Sequence, residues 1–268
     1  MLERVEHENG LVTYRSPKLA ALGVTHAFST RLGGVSRGPY ASLNLAGLNK
    51  DPASDANTSV AENFRRLRAA VGCRRIARLE SRQVHGCAVW VPDADVVHPL
   101  AAPMADAMVS DRPEQLLTIR VADCVPLLLA GDGGRVVAAV HAGWRGVVAG
   151  VVPAALRTMA DRFGVTADDV TVAIGPHISV DHFEVGPEVA AEFDEADLSP
   201  AVVRDNGHRP HVDLLEAVLL QLRRAGVADE RIDATDCCTY ADAEQFYSYR
   251  RDGQPTGRMA AIIHAIDV

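Results

Sequence analysis

The chain has 268 residues, with 27 basic and 35 acidic side chains and a net charge of −8; 48% of it is hydrophobic and 23% charged. That length suits one large domain or two small ones, and the composition excludes a collagen-like or largely disordered chain. The acidic balance argues against a general nucleic-acid binder, because phosphate contacts need an excess of cations.

In chain order, MLERVEHENG carries no apolar core of a signal peptide. TRLGGVSRGPYASLNL is rich in glycine and holds Arg31, Ser36, Arg37 and Asn44. Its backbone N–H groups could cradle an anion, with arginine forking onto phosphate; the plainer reading is a surface turn. It is neither a P-loop nor a GxGxxG fingerprint. Ser59 and Glu62 stand at capping-box spacing and predict a helix through ENFRRLRAAVG, stopped near Gly72. LLTIRVADCVPLLLAG, RVVAAVHAG, DVTVAIG and GRMAAIIHAI are runs rich in Val, Ile and Leu. They predict strands covered on both faces, because apolar residues occupy consecutive positions. VVPAALRTMADRFG predicts a helix with Pro153 in its first turn and Gly164 at its end. A shorter helix is expected from Pro187 through Glu195, and another over DLLEAVLLQLRRAG, with Asp213 and Glu216 at capping-box spacing. The stretch from Val147 to Leu156 is too short to span a bilayer and contains Pro153. No membrane contact and a cytoplasmic location are therefore expected. The five cysteines show no CxxC spacing and should be free thiols there. We read a single α+β (α/β) domain over 1–268, with layered sheets and outer helices.

Chemistry concentrates where two strands end. ADC places Asp123 and Cys124 before an apolar strand, and VVAAVHAGWRG runs a strand into His141 before Gly143. Cys124 also reads as a small buried hydrophobe, and His141 as a core histidine. With His85 of QVHG they make a donor set suited to Zn²⁺, two imidazoles and a thiolate with a fourth position open. Their spacing forms no local metal signature. Cys124 with a histidine base is equally a hydrolase nucleophile. CCTYADAEQFYSYRRDG sets aromatics beside arginines, either to stack on a planar base or to pack as a core edge. HRPH, with His208 and His211, reads better as a polar loop than as a metal clip.

STRLGGVSRGPYASLNLA, QVHG, ADAMVSDRP, ADCVPLLLAG, VAAVHAGWRG, IGPHIS with FEVG, CTY and FYSYRRDGQPTGRMAAII occur in one order. Together they resemble the YfiH family, also called the laccase-domain or polyphenol-oxidase-like family, from Phe28 to the C-terminus. The resemblance implies a four-layer α/β/β/α fold with mixed sheets, the CNF-toxin/YfiH-like arrangement. It implies a single metal, zinc with copper as the second candidate, held by His85, Cys124 and His141. It also implies phosphorolysis of adenosine, inosine or methylthioadenosine, with adenosine deamination as an associated activity. The expected ligands are therefore a purine nucleoside and phosphate; nothing names a protein partner. For substrate we expect Arg31, Asn44 and Arg145 to serve. Asp123 is one option for the general acid or base, though alternation on a strand would point it away from Cys124. One departure stands out: family members usually have a histidine shortly after SLNL, and this chain has Asn49 near that place.

Three rival functions remain open at this stage. A Cys–His hydrolase would edit peptidoglycan precursors without metal. A copper polyphenol oxidase would need HxH pairs for several coppers, and the ten histidines include none. A non-enzymatic regulator would bind metal or nucleotide without turnover.

Overall fold

The computed structural model describes residues 1–47, 54–93, 102–204 and 208–267. Asn49 lies outside them. Among the described residues fourteen strands run in chain order. They are β1 (Glu3–Glu6), β2 (Val12–Arg15), β3 (Thr25–Ser29), β4 (Ala77–Glu80), β5 (Val89–Trp90), β6 (Ala107–Ser110) and β7 (Gln115–Val121). Then follow β8 (Val125–Gly131), β9 (Val136–Ala142), β10 (Thr171–Ile174), β11 (Val202–Val203), β12 (His211–Val212), β13 (Ile232–Ala234) and β14 (Met259–His264). The helices are α1 (Pro17–Ala21), α2 (Asn57–Ala70), α3 (Trp144–Val148), α4 (Val151–Phe163), α5 (Pro187–Glu195), α6 (Leu214–Ala225) and α7 (Tyr249–Asp252).

Two six-stranded sheets result, ordered β1-β2-β3-β14-β7-β4 and β13-β10-β8-β9-β6-β5. Both are mixed. The β7–β4 pair is parallel in the first sheet, as are β10–β13 and β5–β6 in the second, while the other neighbours are antiparallel.

Side-chain alternation builds the layers. Leu117 and Ile119 of β7, Ala261 and Ile263 of β14, Leu128 and Ala130 of β8, and Val137 and Ala139 of β9 meet in one core between the sheets. The intervening residues face outward. Leu127, Leu129, Val136, Ala138 and Val140 pack under α3, α4, α5 and α6. Leu116, Ala260 and Ile262 pack under Val60, Phe64 and Leu67 of α2. The layers are therefore helix, sheet, sheet, helix. The consecutive apolar runs follow directly, because each central strand has a core on both faces.

The helix limits have local causes. Asp213 accepts from the Glu216 N–H at 3.0 Å, a cap of about 1 kcal/mol, and Gly226 closes α6 at φ 97°. Gly164 ends α4 at φ 72°. The α2 expectation needs correction at its start. The helix begins at Asn57 with Ala56 at the cap, and no side chain caps it. Glu62 pairs with Arg65 and Arg66 instead.

Candidate metal centre

The β8–β9 register brings the central residues together. Val125 lies opposite Ala142 and Pro126 opposite His141. Continued one step, this sets Cys124 against Gly143. A Cβ at residue 143 would stand 2.6 Å from His85 Cδ2 and 3.1 Å from Cys124 Sγ. Glycine is thus required there by close approach.

His85 arrives from the 84–86 turn, where it takes a left-handed φ of 60°. Asp106, fully buried just before β6, holds that turn. Its carboxylate accepts from the N–H groups of Val84, His85 and Gly86 at 3.1, 2.9 and 2.8 Å. It also accepts from His141 Nδ1 at 2.8 Å. An ionised carboxylate only accepts, so Nδ1 carries a proton, and Nε2 is the nitrogen left toward Cys124, able to ligate once its own proton is displaced. Asp106 lay unnoticed among the sequence candidates; the signal was a lone acid entering the apolar strand AMVS.

One ligand atom each from His85, Cys124 and His141 lies within 4.8 Å of the others. Cys124 Sγ is 3.8 Å from His85 Nε2. Tetrahedral zinc with such ligands has edges of about 3.5 Å. Burial would push the Cys124 thiol up, but the His141 charge and hydrogen bonds from both histidines bring it down to about 6. Burial likewise opposes the His141 imidazolium, which the Cys124 thiolate and Asp106 hold up to about 9. Thiolate character, a fixed tautomer and room at Gly143 all fit a single thiophilic cation. Among the described residues this is the one group of three such donors.

The cluster opens on a cavity of about 1040 Å³. Arg120, Arg145, Arg250 and Arg258 line it, with aromatic surface from Tyr40, Trp144, Phe183 and Tyr249. Tyr249 is 51% exposed, whereas Phe246 and Tyr247 are fully buried in the core. The aromatic–arginine segment therefore divides between the cavity and the core. Arg251 ties the backbone carbonyls of Thr239, Tyr240 and Phe246. His211 lies on β12, and among the described residues HRPH belongs to no group of three metal donors.

The other expected site residues separate. Arg145 reaches the cavity from α3 with its guanidinium 4.2 Å over the Trp144 ring. Asn44 lines the cavity, but its side chain is engaged. Its amide donates to Asp55 and its carbonyl accepts from the N–H groups of Ala46 and Arg258. Arg31 is absent from the lining; it donates to the carbonyls of Ala41 at 2.8 Å and Ala243 at 3.0 Å. The glycine-rich loop thus uses that cation to fasten itself. Asp123 sits in the β7–β8 turn at φ 91°, so strand alternation does not apply to it. Both its oxygens are engaged, by the Thr239 hydroxyl and the Arg250 N–H, each at 2.7 Å.

Two layered mixed sheets with one His–Cys–His cluster at a strand end define a class, a two-sheet protein built around a candidate metal centre. The chain belongs to the multi-copper polyphenol oxidoreductase laccase family, whose model matches residues 25–266; this is the YfiH family that its motifs resemble. It is 43% identical over 256 residues to the purine nucleoside phosphorylase of Deinococcus radiodurans, covering 95% of this chain and 93% of that one. It is 38% identical over 245 residues to the purine nucleoside phosphorylase YfiH of Escherichia coli K12, covering 91% and 95%. The structure of YlmD from Geobacillus stearothermophilus superposes with a TM-score of 0.85 at 29% identity, covering 98% and 99%. No described helix is long and apolar enough to cross a membrane.

Proposed function

We propose that the protein is a zinc-dependent purine nucleoside phosphorylase acting on adenosine, inosine and methylthioadenosine. The observation that carries this reading is the His85–Cys124–His141 cluster opening on a cavity lined by both arginines and aromatic rings. Relatives named purine nucleoside phosphorylase support it. A phosphate oxygen bonds to C1′ of the ribose as the C1′–N9 bond breaks. The electron pair leaves with the base, which takes up a proton, giving free purine and ribose 1-phosphate, or 5-methylthioribose 1-phosphate from methylthioadenosine.

The residues divide this work. Trp144, Phe183 and Tyr249 offer apolar faces to the base. Arg145 meets the substrate at the rim. His85, Cys124 and His141 would hold zinc, whose charge would orient phosphate and favour an ionised water. Asp106 keeps His141 in the ligating tautomer and the 84–86 turn in place. Deamination of adenosine by water at C6, releasing ammonia, would use the same centre.

The test is chromatography of adenosine after incubation with zinc-loaded protein in phosphate buffer. Adenine and ribose 1-phosphate should appear, and C124A should yield none. Intact adenosine with the wild type would overturn the reading. A second reading takes Cys124 as the nucleophile of a peptidoglycan-precursor amidase, favoured by its contact with His85 at 3.8 Å. That activity would survive chelation and be blocked by alkylation of the apo protein.

A further inference from the structure

Arg120 and Arg258 both line the cavity, which Asp123 also lines; the Asp123 carboxylate is engaged by Thr239 and the Arg250 N–H. The β14–β7 register pairs Ala260 with Arg120, so Arg258, two residues earlier on the same face, is a diagonal neighbour of Arg120. Neither guanidinium makes an ion pair among the described residues. Among the described residues Arg120 Nε is buried and unpartnered, and so is the hydroxyl of Thr256, a residue only 7% exposed. All three line the cavity. Burial, and after it the charge of Arg120, holds Arg258 below its ordinary range. Like charges side by side with unmade hydrogen bonds are unfavourable unless an anion completes them.

The two cations are built in deliberately on the backbone side. Gln83, two residues before His85, accepts from the Arg120 N–H at 2.9 Å and donates to its carbonyl at 2.8 Å. Asn44 accepts from the Arg258 N–H at 2.9 Å. Arg258 Nη1 donates to the carbonyls of Thr256 and Gly257 at 3.1 and 2.8 Å. A Cβ at Gly47 would collide with Arg120 Nη1, so glycine there leaves the guanidinium its room.

We infer that Arg120, Arg258 and Thr256 form an oxyanion subsite that binds inorganic phosphate beside the metal centre. Arg31 and Arg145 are then not the principal phosphate ligands, and Asn44 acts as a positioning residue through Arg258. The choice of phosphate as the anion rests on the phosphorolysis reading; the subsite itself rests on the unpaired donors.

Phosphate binding to the zinc-loaded protein, followed by calorimetry with inorganic phosphate alone, tests this. Arg120→Gln and Arg258→Gln should each weaken binding by tenfold or more, and Thr256→Val by about threefold. Arg162→Gln, on the exposed side of α4, should bind like the wild type. Zinc content and melting temperature, measured alongside, identify any variant that has not folded; the near-isosteric Thr256→Val then carries the test. Folded, zinc-loaded variants that bind phosphate like the wild type would overturn the subsite. If these variants lose phosphate binding while the wild type leaves nucleosides intact, the subsite stands and the reaction falls. If wild-type phosphorolysis proceeds and its KM for phosphate is unchanged in the variants, the subsite falls and the reaction stands.

Discussion

Asp106 and Asp233 are both buried carboxylates that pin distant segments together, yet only one bears on the candidate metal centre. Asp233, on β13 at the edge of the second sheet, accepts from the Ser16 hydroxyl and the Lys18 N–H, and pairs with the Met1 ammonium and Lys18. Asp106 accepts from three backbone N–H groups and from His141. In sequence they look alike, each a single acid in an apolar setting, ADAMV and RIDAT. The partner makes the difference. Bonds to backbone and ammonium groups hold the fold, whereas a bond to an imidazole transmits position and protonation to the ligand cluster.

Replacing Asp106 should separate the two most sharply. Asp106→Ala leaves four donors without their acceptor, and we expect a loss of about 3 kcal/mol or more in denaturant unfolding, with no zinc retained. Asp106→Asn keeps the shape, so its main effect should be a roughly 10–100-fold loss of zinc affinity in competition with a chromophoric chelator. Unchanged affinity would reduce Asp106 to the role of Asp233. Gly143→Ala should weaken zinc by about tenfold, because its Cβ meets His85 and Cys124 while the fold elsewhere is untouched.

Asp233 supplies the pH test. Burial raises its pKa, but the Ser16 hydroxyl, the Met1 ammonium and Lys18 outweigh that and lower it to about 2. Its stabilisation is therefore complete above its unfolded value of about 4 and declines as pH falls toward 2. Asp233→Asn should cost about 1–2 kcal/mol at pH 7, allowing for solvent screening at the exposed cations, a few tenths of a kcal/mol at pH 2, and nothing well below it. Zinc affinity should not move. The smallest effect belongs to Arg31→Gln, which loses bonds to two carbonyls; about 1 kcal/mol of stability should go, with phosphate affinity within twofold of wild type.

Much of this architecture was legible because the signals were local. Asp213 with Gly226, and Pro153 with Gly164, mark their helices with groups that act within one turn. The uninterrupted apolar runs foretold sheets covered on both faces, since each such strand must serve two cores. The α2 start misled because Ser59 and Glu62 have the right spacing, while nearby arginines offer Glu62 a charged partner. Strand ends pointed to Cys124 and His141. Their convergence with His85 is set by long-range register, to which the family resemblance alone gave access. Arg31 and Arg120 show the remaining limit. Nothing in the neighbouring letters says that one guanidinium will meet carbonyls while the other keeps a buried Nε without a partner among the described residues.

The place of β14 also has a consequence for biosynthesis. This last strand lies between β3 and β7, so the first sheet stays split in two until it arrives. The ribosome delivers His85, Cys124 and His141 more than a hundred residues ahead of Arg258, roughly 5–20 s at about 5–20 residues per second. A nascent chain can thus assemble its thiolate and imidazole donors while the cavity is open along one whole side. Arg258 and the cavity wall around it are thus added after the donors.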